Sequence, residues 1–471
     1  MADYSREEIE AKLAGPSEEE LSFAGADLSG LDLSGLVFKG LDLSGARFGG
    51  ANLEGADFTE ANLEKAELKN ATLSQANFNS AKLSGVDLSR TGLEGLDFAG
   101  ADLSGANLAS ANLREAKLPQ AKLERANLNK ANLEEADLRG AQLGEADLGE
   151  ANLFHANLAR ADLAGAKLSK ARLAEADLNR ANFKNADLSG ADLTDAKLSV
   201  GLFYETNLKG ATLNRAEIKG AKFFAADFSG ANLSRADLTG ADLTESRFPG
   251  ADLSRTKLNG AIFRRADLTG ADLTEANLNI ADFNGATLIG VRLHGADMGR
   301  IKLNGAKLGG ARLEKAHMGK ARLTGADLAG ADLSGADLTG ADFTEAKLSQ
   351  SDLSRANLSE AVLERADLSG VFLLGADVRK TNFSEANLEK SDLSGAKLAN
   401  AVLHRANCKR ANLQRADMEH ADLADADLSG ADCTGTKLAF ATFKKAKLTG
   451  AVFRDADLTN ADLSDAIGYK P

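Results

Sequence analysis

The residue types that usually carry catalysis or metal binding are scarce in this sequence. Its 471 residues include five histidines and two cysteines. No G-x-S-x-G elbow, Walker A loop, H-E-x-x-H or EF-hand spacing is present. The cysteines, Cys408 and Cys433, fall where the repeat described below points inward, and a buried thiol behaves as a small hydrophobe. The sequence therefore predicts a protein that is not an enzyme, with no metal site and no cofactor.

A five-residue repeat must position every side chain that could act. Each unit can be written as positions i−2 to i+2, as in Ala26-Asp27-Leu28-Ser29-Gly30, and position i runs from Phe23 to Leu463 without an insertion. The 89 units span residues 21–465, with alanine at i−2 in 71 of them. Every position i is Leu, Phe, Met, Ile, Val or Cys. An unbroken repeat leaves no inserted loop in which a catalytic pocket could form.

The spacing of apolar residues indicates short extended segments joined by bends. Residues at i−2 and i point to the same side of an extended chain, but the next inward residue is three positions on. A bend is therefore needed once per unit, near a glycine or small polar residue at i+1 or i+2. A helix is excluded because a period of five does not keep one face on a turn of 3.6 residues.

Phenylalanine spacing predicts how many units make one coil. Seven pairs of phenylalanines at position i are 20 residues apart, against one, three and two pairs at separations of 5, 10 and 15. Aromatic rings stack favourably between adjacent coils. Four units per coil, giving a four-sided cross-section, is the arrangement that this spacing favours.

The motif resembles that of the pentapeptide-repeat family, A(D/N)LXX, over about 445 of the 471 residues. The resemblance implies an all-β fold, a right-handed quadrilateral β-helix. With coils spaced at about 4.8 Å, about 22 coils would form a rigid rod about 105 Å long. We expect one uninterrupted repeat domain over residues 21–465.

Both ends carry signals of their own. Ser5-Arg6-Glu7-Glu8 and Ser17-Glu18-Glu19-Glu20 each fit a capping box, so residues 1–20 are predicted to form a short helical cap over the first coil; a docking helix is the alternative. The C-terminal tail, residues 466–471, is too short for a helical cap. Either Tyr469 covers the last coil, or two copies meet there as a homodimer.

Charge is unevenly distributed and disfavours DNA mimicry over the whole length. Residues 1–60 hold 13 acids and 4 bases, and the remaining 411 hold 56 acids and 52 bases. DNA of the same length would carry about 60 charges. Local mimicry remains open at an acidic stretch around Glu134 and Glu135, and at a candidate acidic patch without intervening bases: Asp417, Glu419, Asp422, Asp425, Asp427 and Asp432.

Basic and apolar runs supply the other candidate surfaces. A candidate basic patch has residues stacked at coil spacing, which would suit an anionic partner or solvated pairs: Arg292, Arg300, Lys302, Lys307, Arg312, Lys315, Lys320 and Arg322. No exposed aromatics lie among these bases, which argues against direct nucleic-acid binding. Breaks in the motif place apolar side chains outside, as candidate protein contacts: Leu202, Tyr204, Phe224, Phe372 and Leu374.

These patterns favour a non-enzymatic rigid rod that acts as a scaffold or protein-interaction module. One alternative, implied by the resemblance, is modulation of DNA gyrase or topoisomerase by partial DNA mimicry. Another is a secretion-system effector or accessory protein, because Leu31-Asp32-Leu33-Ser34-Gly35 after an acidic segment is similar to pentapeptide segments of type VI secretion accessory proteins. The low cysteine count and the lack of an apolar leader or span predict a cytoplasmic protein without membrane insertion, with export by a signal-peptide-independent route as an alternative.

Overall fold

The repeat forms coils in both compact parts of the chain. In the computed structural model, residues 2–15 and 21–469 are described. They belong to two compact units, unit 1 (Met1–Asp237) and unit 2 (Leu238–Pro471). Between the units the five-residue register of the sequence continues without an inserted residue.

The positions of each repeat separate into inside and outside as the pattern predicts. In unit 1, Ala131 and Leu133 are fully buried, whereas Asn132 between them is half-buried and Glu135 is exposed. Alanine at i−2 leaves the volume that the larger side chain at i requires. The core of each unit is therefore a column of leucine and phenylalanine lined by alanine.

Parallel β-bridges join residues that are 20 apart. They run from Ser22↔Asp42 to Glu217↔Asp237 in unit 1, and from Asp242↔Ile262 to Lys447↔Ile467 in unit 2. Each is a single-residue bridge, and no longer strand occurs among the described residues. The separation of 20 confirms that four units make one coil.

A coil therefore has four faces and four corners. We number the faces by their first residue at position i: face 1 begins with Phe23, face 2 with Leu28, face 3 with Leu33 and face 4 with Phe38. The corner after each face is position i+2, where the backbone is left-handed, as at Glu135 with φ 58°. Glycine adopts this conformation without strain and other residues do not, so glycine is common at corners.

Phenylalanines at position i stack in ladders through the core, as their spacing predicts. The rings of Phe38, Phe58, Phe78 and Phe98 follow one another on face 4 with centroids 5.3, 5.2 and 5.1 Å apart. Face 1 has a second ladder at 5.0 and 4.5 Å, formed by Phe183, Phe203 and Phe223. Near-parallel rings at this separation stabilise adjacent coils in register.

Asparagines at i−1 form a directional ladder outside the core. The side-chain amide of Asn52 donates to Asp32 at 3.0 Å, and in unit 2 that of Asn412 donates to Asp392 at 3.0 Å. The side-chain oxygen of Asn52 meanwhile accepts the backbone N–H of Glu54 at 3.2 Å. An asparagine thus pairs with an acceptor 20 residues before it, which links the register of neighbouring coils to the sequence.

The one described helix, α1 (Arg6–Leu13), lies at the N-terminal end of unit 1. The predicted capping box at its start is formed: the Ser5 hydroxyl accepts from the amide of Glu8, and the Glu8 carboxylate accepts from the amide of Ser5. Ile9 on this helix is fully buried. The second predicted capping box, Ser17-Glu18-Glu19-Glu20, lies outside the described residues.

The segment before α1 is joined to the first coil. The amide of Asp3 donates to the Asp27 carbonyl at 2.8 Å, and the ring of Tyr4 meets that of Phe23 edge-on at 5.6 Å. Arg6 donates to the Ser34 carbonyl at 3.1 Å. These contacts cover backbone and apolar groups that an open first coil would expose.

We expect the protein to lose stability as the pH falls from about 4 to about 2. Aspartates at i−1 accept hydrogen bonds from the hydroxyl and amide two residues on, and the Ser29 hydroxyl is the main cause that lowers the pKa of Asp27 to about 2. The Thr459 hydroxyl likewise lowers the pKa of Asp457. A carboxylate whose pKa is lower in the folded chain stabilises it above the unfolded pKa, near 3.9, and this is lost as the pH falls through the folded pKa.

Thermal unfolding followed by circular dichroism between pH 2 and pH 7 measures this effect. The variant Asp457→Asn keeps an acceptor at the turn and removes one titrating group, so its melting temperature should depend less on pH. A melting temperature that stays constant from pH 4 to pH 2 in the parent would contradict the prediction.

Candidate contact surfaces

An apolar patch lies on face 1 of unit 1 and at the corner before that face. We define the apolar patch as Val200, Leu202, Tyr204 and Phe224. Val200 and Phe224 are 57% and 40% exposed, and Leu202 and Tyr204 are half-buried. The amide of Glu205, next to Tyr204, donates to the Phe224 carbonyl at 2.9 Å, so the two aromatic residues lie on successive coils. The structure therefore brings together the first three predicted contact residues and adds Val200.

Val200 combines an exposed apolar side chain with a strained backbone. Its φ is 61°, in the left-handed region, which a β-branched residue disfavours. Ile280 in unit 2 has the same combination, with φ 57° and 57% exposure. Glycine occupies many equivalent corners, so neither residue serves the coil. Retention of a strained, exposed valine within an apolar patch is typical of a contact residue.

We expect Val200→Gly to raise the free energy of unfolding by about 1 kcal/mol, because it removes strain at a left-handed corner. Chemical denaturation compared with the parent measures the change. Ile280→Gly is the matched control in unit 2 and should give a gain of similar size. Unchanged or lower stability in both variants would show that these corners carry no strain.

Three cations surround the apolar patch. Arg180 precedes Val200 by one coil at the same corner, and its amide donates to the Ser199 carbonyl at 3.0 Å. Lys184 lies one coil before Tyr204, and Lys222 is bridged to Leu202. All three are exposed, and none forms an ion pair with a residue that the structure describes. The patch therefore has an apolar centre and a basic rim.

The second apolar pair has surroundings of the opposite charge. Phe372 and Leu374 lie on face 3 of unit 2 and are 48% and 49% exposed. Phe372 is bridged to Asp352 on one side and to Asp392 on the other. The pair is smaller than the apolar patch and has an acidic border.

The predicted basic residues do not form one patch. They lie on all four faces of unit 2, because a run of 35 residues winds almost twice around a coil of 20. Arg292 and Arg312 are bridged as the sequence predicts, but Asp272 and Asp332 lie at the two ends of the pair. The positions by face are Arg292, Arg312 and Lys315 on face 3, Arg300 and Lys320 on face 4, Lys302 and Arg322 on face 1, and Lys307 on face 2.

Aspartates offset the like charges of the two stacked pairs. Arg292 contacts Asp272 at 3.0 Å, and Lys302 contacts Asp282 at 3.9 Å. Lys302 is bridged to Arg322, and Arg322 in turn to Asp342. Each pair of stacked cations is thus placed between two carboxylates, which reduces the need for a bound anion.

The predicted acidic residues are also dispersed, and bases of neighbouring coils lie beside them. Asp417 is bridged to Lys397 and to Lys437. Lys409 and Lys447 approach Asp427 at 3.5 and 3.9 Å. Their positions are Asp417 and Glu419 on face 4, Asp422 and Asp425 on face 1, Asp427 on face 2 and Asp432 on face 3.

The described residues show no arrangement for metal or thiol chemistry. Within residues 2–15 and 21–469, no three His, Cys, Asp or Glu side chains group as metal ligands would. Burial raises the pKa of Cys408 to about 12, and the nearby Asp427 carboxylate adds to the effect. Burial likewise raises the pKa of Cys433 to about 12. Neither thiol ionises near neutral pH.

We expect both thiols to be unreactive in the folded protein at pH 8. A pKa near 12 leaves roughly a thousandfold less thiolate than in an exposed cysteine, and burial also blocks access. Titration with Ellman's reagent should detect both cysteines only after unfolding in guanidinium. The variant Ser464→Cys supplies an exposed thiol as a control, and rapid reaction of the parent would contradict the prediction.

In the part of the chain that the structure describes, no helix has the length and apolar character needed to cross a bilayer.

Comparison with known families agrees with the coil geometry. The profile described as pentapeptide repeats matches segments that together span residues 22–59 and 156–467, and one described as a pentapeptide repeat region matches 71–148. The chain belongs to the pentapeptide-repeat family. Membership implies a right-handed quadrilateral β-helix, in agreement with four faces and bridges 20 residues apart.

Solved structures of the family cover parts of the chain. HetL, involved in heterocyst differentiation regulation in the cyanobacterium Nostoc, is 30% identical over 54% of this chain and 92% of its own, with a TM-score of 0.21. A pentapeptide repeat protein of the Arabidopsis thaliana thylakoid lumen is 36% identical over 22% of this chain and 69% of its own, with a TM-score of 0.18. QnrB1, a plasmid-mediated fluoroquinolone resistance protein, is 20% identical over 56% of this chain and 92% of its own, with a TM-score of 0.10. No curated protein matches the chain.

Proposed function

We propose that the protein is a non-enzymatic scaffold that binds a protein partner through the apolar patch of unit 1. The observation that carries the proposal is the joint exposure of Val200 and Phe224 beside Leu202 and Tyr204 on one face. Contiguous exposed apolar groups with a polar border are typical of protein interaction sites, whereas isolated ones are common on any surface. Tyrosine and phenylalanine are also enriched at interface centres.

The backbone beneath the apolar patch is already ordered. The amide of Val200 donates to Lys219 at 2.9 Å, and that of Leu202 donates to Ala181 at 3.0 Å. Because coil hydrogen bonds hold each backbone segment, binding requires little ordering of the chain. Such preorganisation lowers the entropic cost of association.

The basic rim restricts the partner. Arg180, Lys184 and Lys222 each lie one coil from a patch residue, so a partner with acidic residues around an apolar centre fits best. Complementary rim charges mainly accelerate association and make it sensitive to salt. Binding should therefore weaken as ionic strength rises.

The experiment is an affinity pull-down from the native host, followed by titration of the captured partner. We compare the parent with Tyr204→Ser/Phe224→Ser on the apolar patch, and use Phe372→Ser/Leu374→Ser on unit 2 as the matched control. Loss of one partner in the first variant only, with unchanged melting temperatures, supports the proposal. Equal retention of every partner by both variants contradicts it.

A second candidate, modulation of DNA gyrase by local DNA mimicry, has one observation in its favour. Arg114 on face 3 of unit 1 contacts Glu94 and Glu115 at 3.4 and 2.8 Å, and Glu134 and Glu135 at 4.0 and 3.6 Å. Four carboxylates around one cation leave a local negative excess. A gyrase supercoiling assay tests this candidate, and no effect at micromolar protein would exclude it.

We further propose that two copies associate through the C-terminal end of unit 2. Phe453, Leu458 and Leu463 at position i are only half-buried there, although such residues are buried in the coils before them. Tyr469 meets Phe453 edge-on at 5.6 Å and covers part of this surface. Light scattering should show a dimer for the parent and a monomer for Leu463→Glu, while the outward control Ser464→Glu stays dimeric.

A further inference from the structure

The ladder of unit 1 opens at one place, between the coil of residues 61–80 and the coil of residues 81–100. Bridges Asn62↔Lys82 and Asn77↔Asp97 close faces 1 and 4. Across faces 2 and 3 of these two fully described coils, no bridge is formed: the partners that the period of 20 assigns are 67 with 87 and 72 with 92. The coils thus stay joined on two faces and separate on the other two.

The opening leaves backbone groups without partners on both sides. In the next coil interval, the amide of Leu88 donates to Asn107 at 2.8 Å and the amide of Asn107 donates to Val86 at 2.9 Å. The corresponding amides at the opening belong to Leu68 and Asp87 on face 2 and to Leu73 and Gly92 on face 3. None of these four donates within the part of the chain that the structure describes.

Bulky residues at the alanine position account for the separation. Three successive units of the second coil have Val86, Thr91 and Leu96 at i−2, where 71 of 89 units have alanine. Larger side chains at this position push against the coil beneath. Leu31 and Leu36 in the first coil have the same position, but no earlier coil lies beneath them, and their ladder is closed.

The separated coils form a cleft with a volume of about 730 Å³. Two cations line it, Lys69 and Arg90, and both are exposed without an ion pair to any described residue. The one lining carboxylate, Asp87, already accepts the amide of Ser89 at 3.0 Å and the side-chain amide of Asn107 at 2.9 Å. The cleft therefore offers free cations and free backbone donors and acceptors.

We propose that this cleft binds an extended peptide segment that carries carboxylates. An added strand would pair its backbone with the free N–H and C=O groups of faces 2 and 3, which is how peptides bind to open sheet edges. Its carboxylates would pair with Lys69 and Arg90 through charge-assisted hydrogen bonds. The site is separate from the apolar patch and does not depend on the function proposed for that patch.

Hydrogen exchange read by mass spectrometry tests the site in the full chain. The probes are three pools of pentapeptides, random except at the second and fourth positions, which hold glutamate, glutamine or lysine; inorganic phosphate is a fourth probe. In the free protein, the amides of Leu68, Leu73, Asp87 and Gly92 should exchange faster than those of Leu88 and Leu93. The glutamate pool at millimolar concentration should slow their exchange at least tenfold, and the other probes should not.

Two variants separate the cleft from its charges. Lys69→Gln/Arg90→Gln should keep fast exchange in the free protein but lose most of the protection by the glutamate pool. Val86→Ala/Thr91→Ala/Leu96→Ala should close the ladder, slow exchange without a probe, and remove the response to peptides. Slow exchange at the opening in the free parent, no protection by any peptide pool, equal protection by phosphate, or an unchanged peptide response in the closed variant would each overturn the proposal.

Discussion

Replacing Phe58 by alanine is expected to lower the free energy of unfolding by about 3–5 kcal/mol. The ring is fully buried in unit 1 and stacks on Phe38 and Phe78 at 5.3 and 5.2 Å. It also meets Phe48 edge-on at 6.1 Å. Alanine would leave a cavity that three neighbouring rings cannot fill, because each is held by its own coil. Denaturant unfolding followed by circular dichroism measures the loss.

Phe440 provides the matched control for this substitution. It is 53% exposed at a corner of unit 2, where it stacks on His420 at 5.0 Å. Phe440→Ala should change the free energy of unfolding by less than about 0.5 kcal/mol. Equal effects of the two substitutions would mean that the ladder on face 4 is not a core element.

Replacing Ala131 by leucine is expected to lower the free energy of unfolding by about 1–3 kcal/mol or more. Ala131 is fully buried at i−2 in unit 1, and Ala111 and Ala151 occupy the same position in the coils on either side. No space for an isobutyl group exists in such a column, so neighbouring coils must move apart. Thermal and chemical unfolding both measure the cost.

The same substitution outside the core tests the assignment of inward and outward positions. Ala159 lies at i+1 of face 4 and is half-buried at the surface of unit 1. Ala159→Leu should leave the melting temperature almost unchanged. If Ala131→Leu melted like the parent, alanine at i−2 would not line the core.

Sequence periodicity predicts the coil because it reports on burial directly. Positions i−2 and i are apolar for one physical reason, and the separation of 20 between phenylalanines follows from ring stacking, as between Phe58 and Phe78. Both signals need only residues that are equivalent in the repeat. The family resemblance and the four-sided coil were therefore available before any coordinates.

Surface charge was harder to predict because neighbours in space are 20 residues apart in sequence. Asp417 lies in a run without bases, yet Lys397 and Lys437 flank it on adjacent coils. Arg292 and Arg312 were correctly paired, but their aspartate neighbours lie outside the run in which they were considered. A map of charge by face, instead of by stretch, would have found both.

Two features depend on details that the repeat average hides. The opening of unit 1 has a signal in the sequence, three successive units without alanine at Val86, Thr91 and Leu96, but a count over all units does not reveal it. Val200 was not predicted as a contact residue because the strain at its corner is a property of the backbone angle. Both features became visible only when hydrogen bonds and dihedral angles were known.

The period of 20 has a consequence for how such a chain can change in length. Deleting residues 321–340 from unit 2 would remove one whole turn and leave every later side chain pointing in its original direction, so only the spacing between surface features would shorten. Deleting residues 321–325 would rotate everything after them by a quarter turn and replace every vertical neighbour, including the pairs of asparagine with aspartate. Gain and loss of segments in this family should therefore favour multiples of four units wherever a surface is under selection.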